Sequence, residues 1–326
     1  NAEDMASKCS PMTSLDQNPG AVLGVILGVA AREGRNKLTF YADDQIAPLG
    51  AWLEQLIAES SGKSGQGMVP IVDEPLVDAQ RYAQDRLFVY LRATGERDHH
   101  LSQLMDAGHP VLTIDIAQPY DLGGEFFRWE IATAIACSIL GVNAFDQPDV
   151  QDNKDRTRQK IRTYAETGSL TEPETIWSQG GIDVYGESIS DIANAGDIGA
   201  VIAAFTAQAK EGDYIAINAY LPREADVEEK LQNLRERILA DTGKATTLGF
   251  GPRFLHSTGQ LHKGGENNGL FLQITQTHDN DLPVPGKDYT FSVLARAQAQ
   301  GDQEALLSRG RRVLRVNIPP GDTLLF

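Results

Sequence analysis

Eight short apolar runs, each bounded by turn residues and separated by stretches of helical periodicity, restrict this chain to a narrow set of folds. The first four are KLTFYA (Lys37 to Ala42), GMVPIV (Gly67 to Val72), RLFVYLR (Arg86 to Arg92) and PVLTIDI (Pro110 to Ile116). The second four are DYIAINAYL (Asp213 to Leu221), ATTLGF (Ala245 to Phe250), GLFLQIT (Gly269 to Thr275) and RVLRVNI (Arg312 to Ile318). Between them lie helix-period segments such as LGAWLEQLIAE (Leu49 to Glu59) and VEEKLQNLRERILA (Val227 to Ala240). This alternation is that of parallel strands covered by helices, so the expected class is α/β with a parallel sheet.

The two sets look alike. LEQLIAESSGK before GMVPI parallels LRERILADTGK before ATTLGF, each a helix that stops at Gly-Lys and leads into a strand. Duplication of one α/β unit accounts for this, and so does independent use of glycine as a helix stop. The expected organisation is a first unit over 1–166, a Gly/Ser/Thr-rich connector over 167–199 and a second unit over 200–326. A long helix at 124–140 and a polar one at 150–166 precede the connector.

Composition excludes several partners. The 29 basic and 45 acidic residues leave a formal charge of −16, which repels a phosphate backbone, so no nucleic-acid partner is expected. The two cysteines, Cys9 and Cys137, have neither disulfide-framework nor zinc-site spacing and read as reduced thiols. The longest apolar run, Ala21 to Ala31, falls short of the ~20 residues of a spanning helix and reads as a buried helix. No membrane partner follows, and the expected location is the cytoplasm. The chain starts with Asn and no strand precedes its first long helix, which suggests a piece of a longer polypeptide.

Two nucleotide-like motifs fail on inspection. SSGKS (Ser60 to Ser64) would need its first glycine at Ile57 and closes a helix instead of opening one. GFGPRF (Gly249 to Phe254) carries Phe254 where a dinucleotide fingerprint has its third glycine. Two other features retain chemistry. Glu59 closes a helix, where the macrodipole disfavours a carboxylate; it is either a surface residue or a group that must stay basic. FLHSTGQLHKGG (Phe254 to Gly265) gathers two histidines and a lysine before two glycines. His262 and Lys263 read there either as a solvated helix end or as groups that approach an anion.

Three blocks resemble the glucose-6-phosphate isomerase family. ILGVNAFDQPDVQDNK (Ile139 to Lys154) resembles the family's F-D-Q signature, in which an active-site lysine follows the glutamine by seven positions; these map to Gln147 and Lys154. WLEQLIAESSGKSGQGMVPI (Trp52 to Ile71) is similar to the E-S-x-G-K segment, whose glutamate shuttles a proton between sugar carbons and maps to Glu59. FLHSTGQ (Phe254 to Gln260) is similar to L-H-S-x-G-Q, whose histidine assists ring opening and maps to His256. The likeness runs over most of the chain. It is closest to the isomerase portion of bifunctional transaldolase/phosphoglucose isomerases, in which the histidine block likewise follows the F-D-Q block.

The resemblance implies a three-layer, flavodoxin-like sandwich of the sugar isomerase (SIS) type. It also implies aldose–ketose isomerisation of a hexose phosphate without redox cofactor or metal. Glu59, His256 and Lys154 are then the expected catalytic residues, and Gln147, Gln260 and Arg253 the expected substrate contacts. A carboxylate suits the shuttle because one group can accept and return a proton at adjacent carbons, and burial would raise its basicity. A histidine exchanges protons near neutrality, and an ammonium stabilises an oxygen on which charge develops. Homodimerisation and upstream SIS and transaldolase domains are also implied. The chain departs from the pattern at Asp149 and Gln151, and it lacks the S-G-T-T and G-G-R-[FY]-S blocks that hold the substrate phosphate. A non-catalytic sugar-phosphate-binding or oligomerisation module, and more distantly a nucleotide-binding α/β enzyme, are the alternatives.

Overall fold

The computed structural model describes residues 1–187, 190–277 and 281–321, so residues 188–189 of the expected connector and 278–280 and 322–326 of the expected second unit lie outside it. The described chain forms two compact units, Asn1–Pro148 with Ser257–Glu266, and Asp149–His256 with Asn267–Phe326. These differ from 1–166, 167–199 and 200–326 in two places. The helix at 150–166 packs in the second unit, and a ten-residue piece after His256 returns to the first.

In the first unit the order is α1 (Ala2–Lys8), α2 (Pro19–Arg32), β1 (Lys37–Ala42), α3 (Pro48–Ser61), β2 (Val69–Val72), β3 (Arg86–Arg92), α4 (Asp98–Asp106), β4 (Val111–Asp115) and α5 (Leu122–Leu140). The four strands pair in parallel in the order β2-β1-β3-β4. Period-two alternation sorts them. Leu38, Phe40, Leu87, Val89 and Leu91 face α2, α3 and α5, whereas Thr39, Tyr41, Phe88 and Tyr90 line the opposite face beneath α4 and the 73–85 segment. That segment is pinned by the fully buried ion pair of Arg86 and Glu74 at 2.8 Å and by the Tyr41–Tyr82 hydroxyl pair at 2.8 Å. Helices thus cover both sheet faces.

α2 shows why its sequence is glycine-rich. Asn18 caps it by accepting from the Ala21 amide at 2.9 Å, and Pro19 occupies the first turn. Gly20, Gly24 and Gly28 recur every four residues against α5; a Cβ on Gly24 would lie 2.6 Å from the Ala132 carbonyl oxygen. The opposite stripe, Val22, Val25, Ile26 and Val29, is exposed. The expected buried helix is therefore buried on one side only, because its small residues let α5 close over that side.

Parallel order 2-1-3-4 puts a topological switch point at the carboxyl ends of β1 and β3, the usual ligand crevice of such sheets. Here a protein carboxylate occupies it. One oxygen of fully buried Asp43 accepts from the amides of Ala93, Thr94 and Gly95 at 2.8, 2.7 and 2.8 Å, and the other accepts from the Tyr90 hydroxyl at 2.8 Å.

The second unit contains α6 (Val150–Thr167), β5 (Trp177–Gln179), β6 (Ile182–Gly186), α7 (Ser190–Ala193), α8 (Ile198–Thr206), β7 (Tyr214–Tyr220), α9 (Ala225–Thr242) and β8 (Ala245–Phe250). The chain then supplies α10 (Thr258–Gly264) to the first unit before β9 (Gly269–Gln276), α11 (Phe291–Leu307) and β10 (Arg312–Ile318). The sheet order is β5-β6-β10-β9-β7-β8. Its four parallel strands, counted in chain order, again run 2-1-3-4. An antiparallel hairpin, β5–β6, extends its edge. Ile215, Ile217, Leu272 and Leu314 pack with Val201, Leu234 and Ile238 of α8 and α9. The other face carries a polar row, Asn218, Gln273 and Arg315, in register across three strands beneath α11. Gln273 donates to Asp302 at 2.8 Å and Arg315 to Gln303 at 2.8 Å. This unit is also three-layered.

Candidate active site

Helix α3 carries Glu59 into place. Leu49, Leu53 and Ile57, spaced at four residues, are buried in the core, each contributing ~1.5–3 kcal/mol of burial free energy. The helix stops at Ser61, whose hydroxyl donates to the Ile57 carbonyl at 2.7 Å and accepts from the Met68 amide at 3.0 Å. Gly62 follows because nothing larger fits: a Cβ there would meet Leu261 Cα at 2.3 Å. Burial pushes the Glu59 carboxyl above the ordinary glutamate range, against the hydrogen bonds of Gln55 and Gln147 and the charge of Lys63, which pull it down.

Residues 143–147 lie against the end of this helix. α5 closes on Gly141 in the left-handed region (φ 76°), with the Val142 amide donating to the Cys137 carbonyl at 3.0 Å. Asn143 then turns the chain by accepting from the Phe145 amide at 3.0 Å and donating to Asp146 at 3.1 Å. The Lys63 ammonium meets the other Asp146 oxygen at 3.0 Å and also donates to the Asn143 carbonyl. Gln147 donates its side-chain amide to Glu59 Oε2 at 3.1 Å.

A third segment joins them. Gln260 of α10 is buried and donates to the Gly62 carbonyl at 2.9 Å, while the Gly65 amide donates to the Gly264 carbonyl at 2.9 Å. Ser257 donates to Glu54, one turn and a half before Glu59 on α3, at 3.3 Å. Gln260 therefore holds α10 to α3. His262 and Lys263 do not form a solvated helix end; they are 2% and 4% exposed, because α10 is packed under the α3 stop.

Lys154, His256 and Arg253 belong to the second unit. Asp149 at the N-cap of α6 and Asp152 on it both pair with Arg309, at 3.1 and 2.6 Å, and Asn153 donates to Asp302 at 3.2 Å. With those side chains turned inward, Lys154 is exposed. His256 closes a short helical turn, Arg253–His256, in which Phe254 and Leu255 are buried while Arg253 and His256 are exposed. The rings of Phe254 and Tyr220 meet edge to face at 5.5 Å. A Cβ on Gly249 would lie 2.9 Å from Phe254 Cβ, and one on Gly251 2.6 Å from the Tyr220 ring. The glycines of GFGPRF thus make room for an aromatic pair, which explains why they mimic half a nucleotide fingerprint.

The structure brings Glu59, Gln147 and Gln260 into one unit and places Lys154, His256 and Arg253 in the other. Lys63 and Asp146 had no assigned role in the sequence reading, although Lys63 closes the E-S-x-G-K segment and Asp146 is the middle residue of F-D-Q. Among the described residues no three metal-ligating side chains cluster, and no helix is long and apolar enough to cross a membrane.

No family model matches the chain. It is similar to a probable glucose-6-phosphate isomerase of Methanococcus maripaludis, 26% identical over 172 residues that cover 42% of this chain and 38% of the relative. It is similar too to a glucose-6-phosphate isomerase of Acholeplasma laidlawii, 26% identical over 156 residues that cover 34% of this chain and 36% of the relative. The chain thus spans less than two fifths of the length of these curated relatives. Among solved structures, the hypothetical protein TT0462 of Thermus thermophilus aligns with a TM-score of 0.35 at 12% identity, over 99% of this chain and 83% of that one. The chain is a distant relative of proteins named as glucose-6-phosphate isomerases.

Proposed function

We propose that this chain supplies the proton-transfer groups of an aldose–ketose isomerase that interconverts glucose 6-phosphate and fructose 6-phosphate. One observation carries the reading: the isomerase-like segments at 143–147 and 257–260, far apart in sequence, are both bonded to the third such segment, 59–63, which carries Glu59. The weak likeness to named isomerases points the same way.

In this reading Glu59 takes the C2 proton of the open-chain aldose, leaving an enediolate, and returns it to C1 while a proton passes from the C2 hydroxyl to the C1 oxygen and C2 becomes the carbonyl. Its raised proton affinity suits a group that must hold and release a proton. Gln147 orients the carboxylate. His256 serves ring opening, Lys154 offers charge to the oxygen that becomes anionic, and Arg253 is the remaining substrate contact, while Gln260, expected as another, is buried and holds α10 to α3 instead. The wider proposal is a cytoplasmic, homodimeric enzyme whose parent chain carries an upstream SIS domain and a transaldolase.

Conversion of fructose 6-phosphate, followed by NMR, tests the assignment. Glu59→Gln is expected to lower the rate by ~10²–10⁴-fold, the range for loss of an acid–base group, with His256→Ala and Lys154→Ala also impaired. A second reading, a non-catalytic sugar-phosphate-binding module, is favoured by the missing S-G-T-T and G-G-R-[FY]-S blocks. It predicts thermal stabilisation by hexose phosphate with no conversion.

A further inference from the structure

We propose that Lys63 and Asp146 form a clasp that positions Gln147 against Glu59, making both of them positioning residues for the proton-transfer step. The inference rests on the reading of Glu59 as the shuttle and adds two residues to it.

The geometry is that of a built support. The Lys63 side chain is 4% exposed, an uncommon place for an ammonium unless it is paired. Its partners are the Asp146 carboxylate at 3.0 Å and the Asn143 carbonyl, both on the segment that ends in Gln147. Its own backbone is fixed as well: the Lys63 amide donates to the Gln66 carbonyl at 3.0 Å, and the Gln66 amide returns to the Lys63 carbonyl at 2.9 Å. One end of the clasp is therefore held in place, and the other is a short surface segment in which Phe145 is 88% exposed. Without the clasp, among the described residues the Asn143 turn and the bond to Glu59 would be left to orient Gln147. A glutamine amide that donates to the shuttle fixes which carboxylate oxygen is free to meet substrate, and small misplacement of such groups is costly in rate.

The groups that act on Glu59 are Gln55 on its own helix, Gln147 on the strap and Lys63 beyond the helix end. From α5, the buried Cys137 thiol, pushed up to about 11 by burial, faces Lys63 and stays neutral through the physiological range. This set gives a test in which the sign decides. Removing the Asp146 charge by Asp146→Ala would, through charge alone, make Glu59 more acidic. If Asp146 instead holds the strap, the substitution frees Gln147, a hydrogen bond to the carboxylate is lost, and Glu59 becomes less acidic.

The measurement is the pH titration of the Glu59 side-chain carboxyl carbon by NMR in the ¹³C-glutamate-labelled chain, assigned with Glu59→Gln. The expected result is an upward shift in Asp146→Ala that is no larger in the Asp146→Ala/Gln147→Ala double variant than in Gln147→Ala. A downward shift, or shifts that simply add in the double variant, would overturn the clasp. Asp146 is half exposed, with 53% of its side chain accessible, but its loss leaves the buried Lys63 ammonium without its carboxylate; Lys63→Met, which removes that charge, is therefore a second route, expected to lower the rate of conversion ~10-fold or more in kcat with KM little changed. The titration needs no turnover, so failure of the clasp and failure of the isomerase reading give different results.

Discussion

Two carboxylates of the first unit are driven in opposite directions by their surroundings. Burial pushes Asp43 up, but the amides of Thr94 and Gly95, the Tyr90 hydroxyl and the Ala93 amide outweigh it and hold the group at about 2. Such a depressed group contributes stability above its unfolded value of about 3.9 and loses that contribution as pH falls toward the folded value. Asp43→Ala is therefore expected to cost about 2–3 kcal/mol in urea unfolding at pH 7 and much less near pH 2. An equal loss at both would contradict stabilisation of the Asp43 carboxylate by the 93–95 amides. Glu59 behaves the other way. Its raised value means that the folded state binds more protons than the unfolded one, so stability falls as pH rises above the unfolded carboxyl value of about 4.3. Glu59→Gln should raise Tm relative to the parent at pH 7 and not at pH 4. A variant less stable than the parent at pH 7 would contradict the burial that shifts Glu59. The sequence showed Glu59 as a carboxylate at an unfavourable helix end, but not its bond to Gln147. A contact between residues 88 positions apart has no local pattern, and the family likeness alone linked them.

The strands and helices were legible because their periodicities are local. KLTFYA, RLFVYLR, ATTLGF and RVLRVNI became β1, β3, β8 and β10 without change of boundary. The hairpin β5–β6 went unread inside the expected connector, although Gly180 and Gly181 both have positive φ, 61° and 85°, as a two-residue hairpin turn demands. Its strands are short and polar at alternate positions, so composition dominated the reading. The reading of α2 as wholly buried failed because an apolar run does not report which side a neighbour covers. Its glycine stripe now sets a testable limit. A methyl on Gly24 would press on an α5 backbone carbonyl, which cannot rotate away. Gly24→Val is expected to destabilise the chain by ~1–3 kcal/mol or more, the usual range for overpacking, read as a lower urea midpoint. Val22→Ala, on the outward face, should fall within ~0.5 kcal/mol; a larger loss there than at Gly24 would contradict the assigned faces.

At the scale of the molecule, the shared 2-1-3-4 strand order gives the two units the likeness that Gly-Lys helix stops only suggested. The units exchange chain after Pro148 and around Ser257–Glu266, which hydropathy could not foresee because α10 is too short to announce which core it joins. The F-D-Q and L-H-S-x-G-Q blocks each straddle an exchange, with Gln147 and Gln260 in one unit and Lys154 and His256 in the other. The central claim, that Glu59 moves a proton between adjacent sugar carbons, is tested most directly by solvent exchange in D2O. Hexose 6-phosphate is incubated with the chain or with Glu59→Gln, and deuterium at C1 and C2 is followed by NMR. The account predicts incorporation by the parent that falls at least ~100-fold in Glu59→Gln, as for loss of a general base. Equal incorporation by both, or none by the parent while the sugar phosphate still stabilises it, would contradict it.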